Sequence, residues 1–174
     1  MADIESFPSR LNDHQEYRII TQIELAKLIK DYCRHCRSNH SELYMEGVDD
    51  APPWKRYEHE IWMLGESLRN FFKSRRKWRG KSILFDVIAE VLMDKNFGKG
   101  RQTFALLLGN YCRDEYANEL GICLQDKEVY GHALKALTKN KIVGFSREAK
   151  RIIETDKGWI KRTANKYLDI LKKS

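Results

Sequence analysis

The sequence is short of residues that break helices. Only three prolines and ten glycines occur in 174 residues, so long uninterrupted helices are permitted. It lacks long apolar runs as well. None approaches the ~20 residues needed to cross a bilayer. The opening Met1-Ala2-Asp3-Ile4-Glu5 is acidic and has no apolar h-region, so no secretory signal is expected there. Cysteine is sparse: Cys33, Cys36, Cys112 and Cys123 do not make a dense disulfide framework. A chain of this length buries roughly 70% of its unfolded surface and needs no staples. A reducing, cytoplasmic location is therefore expected. Period-two alternation is absent, so strands are not expected. Gly98-Lys99-Gly100-Arg101 lacks the preceding strand and the Lys-Ser/Thr ending of a phosphate-cradling loop.

What is present is charge and helical periodicity. Charged residues are 33% of the chain, hydrophobic residues 42%, and the net charge is +7. Lys and Glu are interleaved along most segments, which is how a solvated helix face reads. Thr21-Gln22-Ile23-Glu24 has the form of a capping box. Leu25, Leu28, Ile29, Tyr32, Cys33 and Cys36 follow it as one apolar stripe. A loop is expected from Ser41 to Pro53. A second helix then carries Trp54, Tyr57, Ile61, Leu64, Leu68, Phe71 and Phe72, runs into the basic segment Lys73–Lys81, and stops near Gly80. Ser82, Asp114 and Ser146 are expected to cap later helices. Residues 1–17 read as a loose arm, 18–81 as an N-terminal helical pair, and 82–174 as helical hairpins, all within one domain. An all-α chain of about eight helices is expected.

The C-terminal part repeats itself. Asp-Lys recurs at Asp94-Lys95, Asp126-Lys127 and Asp156-Lys157, at intervals of about thirty residues. Each copy lies between two apolar segments of helical spacing. In the last copy, Asp156, Ile160-Lys161, Ala164 and Leu168 fall at the spacing of the second helix of a HEAT repeat. The preceding copy keeps Asp126, Val129, Ala133 and Leu137, with Tyr130 where the basic residue belongs. At Asp94, Arg101 and Ala105 match in part. From Asp94 onward the chain thus resembles HEAT repeats. The resemblance implies a short α-α superhelix, or solenoid, with the N-terminal pair as a divergent cap. It also implies a surface for docking a partner. The three aspartates are then helix caps.

Four groups of residues invite a chemical reading. Cys33, Cys36 and His40 share one helix face, with His59 as a further metal-type ligand. Cysteines that continue an apolar stripe are more simply core residues, and no metal or cofactor is expected. Arg34 and His40 have the Arg-x(4–6)-His spacing of HEPN ribonucleases. That resemblance implies attack at a phosphodiester, but no nucleophile, base and orienter set stands beside it, and no catalytic residue is assigned. Lys73–Lys81 gathers Arg75, Arg76 and Arg79 around Trp78. Cations neutralise phosphates, and an aromatic ring stacks on a base. Further basic residues at Lys135, Lys139, Lys141, Arg147, Lys150, Arg151, Lys161 and Arg162 would extend this into a strip if the hairpins stack in register. Finally, Arg101, His132, Lys161 and Arg162 are expected as exposed contacts on the second helices. The sequence thus reads as a non-catalytic module docking a macromolecular partner, a protein in the first instance. Nucleic acid on the basic strip is the alternative, and a HEPN-type ribonuclease is the third reading.

Overall fold

The computed structural model describes residues 4–11, 17, 19–40, 43–44, 54–75 and 77–172. Among them the fold is all-α. The α-helices are α1 (Phe7–Arg10), α2 (Gln22–Asn39), α3 (Arg56–Lys73), α4 (Ile83–Met93), α5 (Gln102–Tyr111), α6 (Ala117–Cys123), α7 (Tyr130–Asn140), α8 (Ser146–Thr155) and α9 (Gly158–Leu171). Two 3₁₀ segments, Ile4–Ser6 and Lys95–Arg101, accompany them. An isolated antiparallel bridge joins Tyr44 to Lys55. No described helix is long and apolar enough to cross a membrane.

The start of α2 follows from its sequence. The Thr21 hydroxyl accepts from the Glu24 N–H at 3.2 Å, and the Glu24 carboxylate accepts from the Thr21 N–H at 2.9 Å. Two otherwise orphaned donors are satisfied reciprocally. Leu25, Ile29, Tyr32, Cys33 and Cys36 then turn inward. Ser82 stands at the N-cap of α4 without a side-chain bond to it. The caps expected at Asp114 and Ser146 are instead Tyr116 and Phe145. Asp94 and Asp126 do accept from the backbone N–H two residues on, each at 3.0 Å. Asp156 does not; it receives the hydroxyls of Thr155 and Tyr130.

Helices α2 to α9 pack as four successive pairs, with α2, α4 and α6 in contact along one layer and α3, α5, α7 and α9 along a second. Within each pair α2 packs on α3, α4 on α5, α6 on α7, and α8 on α9. Between pairs, α2 meets α4 and α4 meets α6, while α3 meets α5, α5 meets α7, and α7 meets α9. Small residues set the spacing in the second layer. A Cβ on Gly65 of α3 would lie 1.9 Å from the Thr103 hydroxyl oxygen. One on Gly109 of α5 would lie 2.5 Å from the Ala136 Cβ. Backbones approach there at a distance that a larger residue would prevent.

Two expectations require correction. Residues 1–17 are not a loose arm where they are described. Phe7, Leu11 and Tyr17 are buried, and the Phe7 ring meets Tyr17 and Tyr32 edge-on. These few large apolar groups outweigh the polar residues around them. The second helix also ends at Lys73, well before Gly80. The chain turns back there because Trp78 packs on Phe71 and Phe72, with ring centroids 5.9 and 6.3 Å apart. Most of the loop expected at Ser41–Pro53 lies outside the described residues.

Candidate functional site

After α3 the described residues of the basic segment Lys73–Lys81 form a strap leading to α4. It borders two open clefts. One, of about 570 Å³, is lined by Lys73, Ser74, Arg75, Lys77 and Trp78. The other, of about 690 Å³, takes Arg79 and Gly80 from the strap, Asn110 to Arg113 and Glu115 from the end of α5, and Lys139 and Asn140 from the end of α7. Backbone and amide bonds hold these three ends together. The Gly80 N–H donates to the Tyr111 carbonyl at 3.0 Å. The Asn140 amide donates to the carbonyls of Gly109, Cys112 and Arg113 at 3.1 to 3.2 Å. Cations gathered where several helices terminate also complement their negative dipole ends.

The strap residues differ in what they are available to do. Arg75 is engaged inward: its guanidinium donates to the Tyr17 carbonyl and lies over the rings of Phe71 and Trp78. Trp78 is half-buried on the core. Arg79 is exposed, 5.7 Å from the centre of the Tyr111 ring. Arg76 lies outside the described residues. Arg113 is a cleft residue that periodicity did not single out. The only signal for it was its place just beyond a predicted helix end.

Arg101 is not an exposed contact. It is 1% accessible and fully engaged. Nε donates to the Gly98 carbonyl at 2.7 Å, and a terminal nitrogen donates to the Leu92 carbonyl at 3.1 Å. The other terminal nitrogen reaches Asp126 and Glu128, each at 2.9 Å. It ends the 3₁₀ segment rather than lying on the outside of a second helix, and the turn before α7 folds over it and supplies both carboxylates. One hairpin later, Tyr130 occupies the corresponding place and donates to Asp156. Each repeated aspartate after the first is thus bonded by a side chain of the hairpin before it.

His132, Lys161 and Arg162 lie on the adjacent helices α7 and α9. Lys161 and Arg162 are exposed, while His132 is half-buried, with Trp159 edge-on at 5.2 Å. Burial, with Lys135 adding to it, pushes the His132 imidazole down to about 4. Free histidine titrates near 6.5. Between those pH values the unfolded chain binds a proton that the folded one refuses. His132 therefore contributes its full stability above pH ~6.5 and loses it as pH falls towards ~4. For a partly screened ring the loss is about 1–2 kcal/mol. His132→Phe is expected to flatten this part of the stability–pH profile in thermal melts. Parallel profiles for the two proteins would remove His132 from the account.

Cys33 and Cys36 sit in the core beneath α2. Burial drives the Cys33 thiol well up and raises Cys36 to about 12. Neither is a ready thiolate at neutral pH. Among the described residues no group of three or more metal-type side chains converges. Arg34 is exposed, 4.0 Å from Asp31. The cleft it lines also contains Lys30, Glu90 and Asp94, but not His40. No protein-family model matches this sequence, and no curated protein or solved structure is significantly similar to it.

Proposed function

We propose that the chain is a non-catalytic helical-repeat module, a HEAT-like α-α superhelix of four hairpins, which docks a protein on the outer face of its last two hairpins. The observation that supports this reading most is the bond from one hairpin to the next aspartate, made first by Arg101 and again by Tyr130. Recurrent packing of this kind builds a rigid surface from neighbouring helices. The docking face in this reading is Trp159, 40% exposed, with Lys161 and Arg162 beside it and His132 at its edge. Aromatic and arginine side chains are the usual anchors of such contacts. Four free, buried cysteines fit a reducing compartment.

The test is co-purification from the native host with wild type and with a Trp159→Ala, Arg162→Glu variant. A partner retained by the wild type in near-stoichiometric amount and lost by the variant is the expected result. Identical protein recovery from both would refute this docking face.

A further inference from the structure

The cationic end is a separate feature from the α7–α9 face and does not depend on that reading. Three chain ends, distant in sequence, place Arg79, Arg113 and Lys139 around one cleft. All three are exposed. None has a carboxylate within ion-pair distance among the described residues. The one carboxylate lining the cleft, Glu115, accepts from the Arg113 backbone N–H at 2.6 Å. Across the strap, Lys73 and Lys77 line the second cleft. The cations are therefore spread along a path through two clefts rather than focused on one point. A distributed line of positive charge suits a polyanion better than a single small anion.

The strap lends residues to both clefts, and the half-buried Trp78 borders the second. In a duplex the base faces are stacked on one another and are not open to such a ring. A single strand exposes them, and a base can lie against the open part of Trp78. The amide side chains beside these cations are in part engaged within the protein. Asn140 holds three carbonyls, and the Asn110 carbonyl oxygen accepts from Lys139. We propose that this cationic end binds the backbone of single-stranded nucleic acid, without sequence preference and without discrimination between ribose and deoxyribose.

The experiment measures fluorescence anisotropy of labelled 20-mer oligouridylate and oligothymidylate, with a 20-base-pair duplex as the third probe. Both single strands are expected to bind alike and more tightly than the duplex. Their affinity should fall with salt at a log–log slope of about −0.7 per phosphate neutralised. The variant R79E/R113E/K139E is expected to lose at least ~tenfold in affinity. The variant K95E/K127E/K166E changes net charge equally on other, exposed positions and is expected to lose less than ~threefold. Circular dichroism checks the fold of each, and R113Q/K139Q supplies a milder reading of the same cleft. The proposal is overturned by absence of binding at low salt, by equal losses in the two triple variants, by a duplex bound as tightly as the single strands, or by displacement with polyglutamate at equal charge. The last outcome would assign the clefts to an acidic protein. Loss of protein docking with oligonucleotide binding intact would reject only the α7–α9 face.

Discussion

Arg101→Ala is expected to lower the unfolding free energy by about 3–5 kcal/mol, the range for removing one partner of a buried ion pair. The guanidinium closes four hydrogen bonds from a site with 1% accessibility. Without it the Gly98 and Leu92 carbonyls lose a donor, and Asp126, whose side chain is 13% exposed, loses its countercharge. Arg101→Lys should recover little, because an ammonium cannot span carbonyls and carboxylates in the planar arrangement of a guanidinium. The two acidic partners should differ. Asp126 also caps the turn before α7 through the Glu128 N–H, so Asp126→Ala should cost about 2–3 kcal/mol. Glu128 is 41% exposed, and its loss should cost less than about 1 kcal/mol. Urea unfolding of the three variants checks the order. A cost below that of Glu128→Ala for Arg101→Ala would mean that the inter-hairpin bond contributes nothing to cohesion.

That bond also shows how far a sequence can be read unaided. Thr21 and Glu24 were legible because capping partners lie three residues apart. The stripe from Leu25 to Cys36 was legible because helical burial has a period. The repeated aspartates were legible as punctuation: Asp94 caps the 3₁₀ segment, while Asp126 caps the turn before α7 and not the helix itself. Arg101 was misplaced because its carboxylates lie 25 and 27 residues downstream. Local spacing carries no sign that a neighbouring hairpin will cover a residue. The strap after Lys73 was hidden for a related reason. Lysine and arginine are good helix formers, and only the contact of Trp78 with Phe71 and Phe72 turns the chain back. Lys139 was visible as a basic residue on a helix. Its meeting with Arg79 and Arg113 depends on which helix ends lie side by side, and that is decided by packing in the second layer, at Gly65 and Gly109.

Glu58→Ala is expected to cost about 2–4 kcal/mol, because it removes the acceptor of two backbone donors from a largely dry site. Glu58 is 5% exposed. One carboxylate oxygen accepts from the Lys55 N–H at 2.8 Å and so caps α3. The other accepts from the Lys99 N–H at 2.9 Å and holds down the 3₁₀ segment. Gly98 makes this possible. Its φ of 51° and ψ of −139° are available to glycine and little else. A Cβ there would lie 2.0 Å from the Glu58 carboxylate. Gly98→Ala should therefore also destabilise, by about 2–3 kcal/mol from strain and displacement of the carboxylate. The costs of the two substitutions should not add. Once Glu58 is truncated the new methyl has room, and only the backbone strain remains. The double variant should fall short of the sum by about 1 kcal/mol or more. Strict additivity in urea unfolding would mean that Glu58 and Gly98 do not act through this contact. The Gly98 carbonyl also receives Nε of Arg101, so Glu58 and Arg101 grip the same loop from opposite sides. This junction sits at the start of α3, and the cationic clefts lie at its other end, 18 residues away and roughly 27 Å along the axis at 1.5 Å per residue. Glu58→Ala should thus lower the melting temperature while leaving oligonucleotide affinity unchanged wherever the variant is folded.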